Sequence, residues 1–508
     1  MRASGILLPI FSLPGRYGIG RFSAEAYAFA DFLQAAGQRY WQILPIGPTG
    51  YGDSPYQSFS TFAINPYFAD LEELVRQGLL TAEELAAADF GGDTGNIDYG
   101  RLYTENSRLL DLAAGRAIRH AEPYGHSHDS AFRQFREENA HWLEDYALFT
   151  AVKAAFQGRS FPEWDEDIRR REPAAMQKWS GILREEIEKC CWIQYECARQ
   201  WFALKAGINK KGIQIIGDIP IYVSPDSADF WACPELFQTA ADGSPAAVAG
   251  CPPDGFSADG QFWGNPLYDW ARHQGDGYRW WIRRLSHCRR LYDVIRIDHF
   301  RGFDEYYAIP AGERTAAHGR WEKGPGLDLF RAVQEALGEI PIIAEDLGYM
   351  TDSVRQLVRE TGFPNMKVLE FAFDSRDSSS RDLYLPYNYT PNCVVYTGTH
   401  DNETICGWLD SILPEEKQQV QDYLGCPSAD RQILTREMIR LAQSSAANLC
   451  VIPMQDWLGL DNHARINTPN TMGANWGWRM PAEACTPALA ERIRKISGMY
   501  GRRPPWPQ

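Results

Sequence analysis

DVIRIDHF at residues 293–300 is the stretch on which the fold turns: apolar, mostly β-branched residues run through Val294, Ile295 and Ile297, and the run ends on an acid, Asp298. Near-continuous apolar runs of this length mark strands buried on both faces, as a parallel sheet requires. The pattern recurs outward in both directions. YWQILPI (40–46) and IQIIGDIPIYV (213–223) precede it; PIIAEDLG (341–348), MKVLEFAF (366–373), CVVYTGTHDN (393–402) and LCVIPMQDW (449–457) follow. Amphipathic helical stretches lie between them, such as 24–36, with Ala26, Phe29, Ala30 and Leu33 on one face and Gly37 as the stop, and another around 435–447. This alternation predicts an α/β protein, a single (β/α)₈ TIM barrel over residues 1–508, in preference to an open doubly wound sheet. Seven strands are visible, and the missing one, second in order, is expected around 60–70.

Two stretches break the rhythm. Residues from about 70 to 205 carry mostly helical patterns, including a capping-box start at Thr81 and Glu84, and are expected to form a helical insertion. AVAGCPPDGFSADGQFWGNPLY (247–268) is rich in Gly, Pro and aromatics and reads as a long irregular functional loop, a lid over the site, between the third and fourth strands.

Composition narrows the function classes. Hydrophobic residues at 44% and charged residues at 23% supply a sizeable core and point to a folded, soluble protein. A formal charge of −15 disfavours nucleic acid and anionic membranes as partners and suits a neutral ligand. No apolar run is long enough to span a bilayer, and the start, MRASGILLPIFSLPGRYGIG, has no signal-peptide cleavage pattern. Eleven scattered cysteines without a CxxC pair fit thiols in a reducing cytoplasm. No His, Asp or Glu group has metal-ligand spacing, so no metal or cofactor is expected. Gly15, Gly18 and Gly20 lack the strand–helix setting of a dinucleotide loop, and no Walker A pattern occurs.

Acids at the strand ends carry the chemical signal, because a barrel gathers all its strand C-termini around one mouth. Asp218, Asp298, Glu345, Asp401 and Asp456 all fall there. Any one alone reads equally well as a helix N-cap or loop residue; five together argue for a site. Arg296 and Asp298 are two apart in a strand, so they share a face, and the guanidinium is expected to lower the carboxyl pKa and keep it ionised; a structural Arg–Asp pair is the plainer reading. Glu345 closes an apolar run, and partial burial should raise its pKa, as a proton donor requires; its neighbour Asp346 should face the other way. His400 and Asp401, in THDN, suit hydrogen bonding to sugar hydroxyls, although His400 alone reads as a buried core histidine.

The motifs SLPGRYGIG, GPTGYGDSPYQSFSTFAINPY, GDIPIYV, CPPDGFS with FWGNP, RIDHFRGF, AEDLG, TGTHDN and NWGWR together resemble the amylomaltases, or 4-α-glucanotransferases, of the α-amylase clan, from about residue 4 to about 480. The resemblance implies a TIM barrel without the C-terminal β-domain of typical α-amylases. It also implies a retaining double displacement on maltooligosaccharides and α-1,4-glucans, with an acceptor glucan or glucose receiving the segment. It further implies Asp298 as nucleophile, Glu345 as acid/base and Asp401 as the group that grips and distorts the sugar. Asp218, Arg296 and His400 would frame that subsite, and Ser54, Tyr56, Asp254, Trp263 and Asn467 would contact sugar. Tyr51 and Tyr99 would match a second glucan site.

Two alternatives stand beside this reading. An α-amylase-type hydrolase would use the same acids, and the choice rests on whether water or sugar reaches the intermediate; a lid carrying Phe256 and Trp263 would favour sugar. A glucan-binding protein on an inactive barrel would be expected to lack one of the three acids, and all three are present.

Overall fold

The computed structural model describes residues 2–50, 52–121, 128–253, 259–348, 350–375 and 381–503. Twelve strands occur among them: β1 Ala3–Leu7, β2 Tyr40–Gln42, β3 Gln214–Pro220, β4 Ala247–Cys251, β5 Gln261–Pro266, β6 Val294–Asp298, β7 Glu305–Pro310, β8 Arg320–Lys323, β9 Ile342–Ala344, β10 Asn365–Val368, β11 Cys393–Tyr396 and β12 Leu449–Pro453. Eight of them close a parallel barrel in the order β1-β12-β11-β10-β9-β6-β3-β2. This is the (β/α)₈ architecture that the alternating apolar runs imply.

The strand missing from the sequence reading is not the second but the first. Residues 66–68 form a 3-10 turn, whereas β1 pairs in parallel with β2 on one side and with β12 on the other, and so closes the barrel. Its sequence, ASGIL, is short and contains Ser and Gly, so local hydropathy does not mark it as a strand. Gly5 is required there, since a Cβ at that position would fall 2.7 Å from the Tyr40 carbonyl oxygen. Inside the barrel, Leu7, Ile216, Ile343, Met366, Val368, Val394, Tyr396 and Val451 form a cluster of their own, sealing the foot from the mouth.

Residues 247–268 also differ from expectation. Ala247–Cys251 and Gln261–Pro266 are paired rather than irregular: as β4 and β5 they belong to a four-stranded sheet, β5-β4-β7-β8, antiparallel throughout. Of the two partners of β4, β5 follows within the same stretch but β7 lies beyond β6, more than fifty residues away, so the Gly- and Pro-rich local composition concealed the sheet. Gly250 permits it, because a Cβ there would fall 2.2 Å from the Gln261 carbonyl.

Helices run from Leu71–Arg76 to Arg184–Lys210 between β2 and β3, and Thr81 and Glu84 make the reciprocal capping box. After β12 come the helices Met454–Leu458 and Pro487–Met499. Arg502, wholly buried, donates to the carbonyls of Gln443 at 2.7 Å, Ala3 at 3.0 Å and Ser445 at 3.1 Å, tying the chain's late residues to the foot of β1.

Candidate active site

Backbone register sets the site. Asp218 of β3 stands directly opposite Arg296 of β6, and Arg296 opposite Ile343 of β9. Asp298 is two residues further along β6 on the same face, at the mouth. Glu345 follows β9, and its backbone continues the ladder: its N–H donates to the Ile297 carbonyl at 3.1 Å and its carbonyl accepts from Phe300 N–H at 2.9 Å. Those two bonds straddle Asp298, so the two acids occupy neighbouring strand ends by register.

Arg296 is buried and its Nη1 serves three oxygens: both of Asp218, at 2.7 and 2.6 Å, and Oδ1 of Asp298 at 3.0 Å. Asp218 is wholly buried and also accepts from the Tyr56 hydroxyl at 2.9 Å. Removing one partner from a buried pair of this kind costs about 3–5 kcal/mol, so Arg296 and Asp218 form a rigid base beneath Asp298.

The expected depression of the Asp298 pKa is not what the surroundings produce. Burial pushes its carboxyl well above the usual range; Arg296 pulls down, while Glu345, Asp218 and Asp401 push up. The guanidinium is already engaged by Asp218, and like charges nearby oppose a further negative charge. Glu345 is also raised, first by burial, with Arg296 and the N–H groups of Leu347 and His299 pulling down. Its two oxygens accept from those N–H groups at 2.7 and 2.6 Å. Asp346 points elsewhere and accepts from Met366 N–H and the Asn365 amide.

The other predicted residues join the group through stacking and hydrogen bonds. Asp401 Oδ1 accepts from the Asn467 amide at 2.6 Å, and Oδ2 lies 3.3 Å from His400 Nε2. His400, buried and with its pKa lowered chiefly by burial, stacks on Tyr56 at 5.2 Å between ring centroids and 14° between planes. Ser54 accepts from Tyr56 N–H at 3.3 Å and shapes the turn below that ring. Trp263, on β5, packs edge-on against His299 at 4.7 Å. Tyr99 is half-buried, and its hydroxyl donates to the Trp476 carbonyl at 2.8 Å. Asp456 does not face the group: it accepts from the Thr397 hydroxyl and from Ile405 N–H behind the mouth. Tyr51 and Asp254, with Gly255 and Phe256, lie outside the described residues.

Two residues within recognised motifs had no role assigned from sequence. His299 has a left-handed backbone, φ 54°, which turns the chain directly after Asp298 and aims its N–H at Glu345. Burial takes its imidazole down to about 3, so it is neutral. Trp476, also left-handed at φ 63°, sets its ring 5.9 Å from Tyr56 and 6.1 Å from His400. Neither position is acidic, and a positive φ leaves no mark in the sequence except where glycine stands. No group of three or more His, Cys, Asp or Glu suited to a metal ion occurs among the described residues.

The profile of the 4-alpha-glucanotransferase family matches residues 8–485. A 4-alpha-glucanotransferase of Streptococcus pneumoniae is 46% identical over 99% of this chain and 97% of its own length, and that of Thermus thermophilus 45% identical over 98% of each. Among solved structures, the amylomaltase of Streptococcus agalactiae in complex with acarbose superposes with a TM-score of 0.94 at 40% identity, covering 99% of this chain and all of that one. Matched along almost its whole length in both sequence and barrel, the chain belongs to the 4-alpha-glucanotransferase family.

Proposed function

We propose that Asp298, Glu345 and Asp401 transfer α-1,4-glucan segments from a donor maltodextrin to the 4-OH of an acceptor glucan or glucose. The observation that carries this reading is the register of Glu345, whose backbone is bonded to β6 on both sides of Asp298 and so brings the two carboxyls to neighbouring strand ends. Glu345 protonates the leaving glycosidic oxygen while Asp298 attacks the anomeric carbon and forms a glycosyl ester. Glu345, now ionised, takes the proton of the acceptor 4-OH as that oxygen displaces Asp298, and the configuration is retained.

Two raised and interacting carboxyls titrate as a pair, and the working form holds one proton between them. Arg296 at 3.0 Å and a side chain 29% open to the mouth favour the negative charge on Asp298, leaving the proton on the more buried Glu345. Asp401, gripped by Asn467 and His400, presents its carboxylate to the hydroxyls of the sugar being distorted. Ser54, Tyr56, Asp254 and Trp263 supply further sugar contacts, and Tyr51 with Tyr99 a peripheral glucan site. Trp263, set on a paired strand and packed on His299, supports an acceptor wall that favours sugar over water.

No helix among the described residues is long and apolar enough to cross a membrane. None of the eleven cysteines forms a disulfide, which supports a reducing, cytoplasmic setting. Incubation with maltotriose tests the activity: glucose plus a ladder of longer maltooligosaccharides is expected. Products that only shorten would leave an α-amylase-type hydrolase.

A further inference from the structure

Asp218, Asp298, Glu345 and Asp401 come from the ends of β3, β6, β9 and β11; the strand between the last two, β10, also ends on an acid. Glu370 lies just past β10 and is 5% exposed, and its N–H donates to the Thr397 carbonyl at 3.3 Å. Its Oε1 has no hydrogen-bond partner among the described residues. That oxygen occupies space left by a glycine: a Cβ on Gly398 would fall 2.6 Å from Glu370 Oε1 and 3.1 Å from Asn402 Cβ, with the Glu403 carbonyl 3.3 Å away. Glu370 and Asn402 therefore meet across the bare face of Gly398.

Asn402 organises the turn that carries Asp401. Its Oδ1 accepts from both the N–H and the hydroxyl of Thr399, at 2.9 and 2.8 Å, and the Thr399 hydroxyl accepts from Asp401 N–H at 3.3 Å. A chain of contacts thus leads from β10 through Asn402 and Thr399 to Asp401. We propose that Glu370 is a positioning residue for the reaction, a buried carboxyl wedged against Gly398 and Asn402 that holds the 398–402 turn so that Asp401 meets the distorted sugar. It faces Asp456, Glu403 and Arg465; burial, then Asp456 and Glu403, raise its pKa well above the usual range, against the weaker pull of Arg465 and the Asn402 amide. A neutral carboxyl avoids a second buried charge beside Asp456, and an aliphatic side chain would leave Asn402 without a polar neighbour on that side.

This inference rests on the transferase reading, and steady-state disproportionation of maltotriose tests both separately. An Asp401 displaced by a fraction of an ångström loses contacts made mainly in the transition state, so kcat should fall while KM holds. Glu370→Ala is expected to lower kcat about tenfold, counted per folded molecule, with KM within about twofold of the wild type. Glu370→Gln, which keeps the shape and a neutral polar head, should restore kcat to within about twofold, and Gly398→Ala, which pushes on the carboxyl from the other side, should reproduce the loss. A Glu370→Ala enzyme that melts earlier but turns over with wild-type kcat once folded would overturn the positioning role, as would failure of Gln to rescue turnover. A wild-type enzyme that makes no ladder would instead remove the transferase reading itself.

Discussion

Glu345 accepts a 2.6 Å hydrogen bond from the backbone N–H of His299, the residue directly after Asp298, so the two strand-end acids are coupled through the main chain as well as through their charges. The left-handed turn at His299 makes that N–H available: an extended residue there would carry it back into the ladder.

Glu345 as acid/base has a selective consequence. Glu345→Gln should lower turnover of maltotriose by about 10²–10⁴-fold, because an amide cannot supply the proton to a glycosidic oxygen. With an α-glucosyl fluoride donor, whose leaving group needs little protonation, the first step should survive. Fluoride release read by an ion-selective electrode, with slow or absent turnover thereafter, is the expected result. Equal loss on both donors would place the proton donor elsewhere.

Replacing Asp298 by Asn should abolish turnover, by about 10³–10⁶-fold, while the fold persists, since Arg296 keeps both contacts to Asp218. Stability should respond to pH with a definite sign. The folded pKa of Asp298 lies above its unfolded value near 4, so the proton contributes stability fully below about pH 4, and that contribution is lost as pH rises through the folded value. Asn carries no such proton. The melting temperature of Asp298→Asn should therefore match the wild type near pH 4 and exceed it increasingly toward pH 8. A gap that stays constant with pH would contradict a raised carboxyl.

Tyr56 joins the base of the site to its clamp, donating to Asp218 while its ring lies against His400. Tyr56→Phe keeps the stacking and removes the donor, leaving a buried carboxylate oxygen with Arg296 alone. A fall in kcat/KM of about tenfold is expected from initial rates on maltotriose, with little change in melting temperature.

At the opposite end of the barrel, Arg502 satisfies three backbone carbonyls from a wholly buried position. Arg502→Ala should cost about 1–3 kcal/mol, seen as an earlier urea midpoint, because the Ala3 carbonyl loses its charge-assisted donor without gaining water while those of Gln443 and Ser445 are left with Arg2 alone. Turnover of the folded protein at low temperature should be unchanged, since the residue lies at the foot and the acids at the mouth.

Strand periodicity alone placed Asp218, Asp298, Glu345, Asp401 and Asp456 at strand ends, because a run buried on both faces must be a barrel or sheet strand and its end must open to solvent, but it could not tell that Asp456 turns away to Thr397 and Ile405. β1 escaped detection for a related reason: Ser4 and Gly5 are tolerated where neighbouring strands press close, so hydropathy weakens where packing is tightest. The sheet built on β4 escaped because its partner β7 arrives more than fifty residues later.

By itself, then, the order of residues determined the barrel, the strand-end acids and the motifs that assign the chain to its family, all properties of local pattern. Only the tertiary structure decided which acids share a charge environment, that Arg296 is divided between Asp218 and Asp298, that burial outweighs it at Asp298, that His299 and Trp476 stand around the same mouth, and that Glu370 packs behind the 398–402 turn. Those facts depend on distance and dielectric between residues far apart in the chain, and neither quantity exists until the barrel closes.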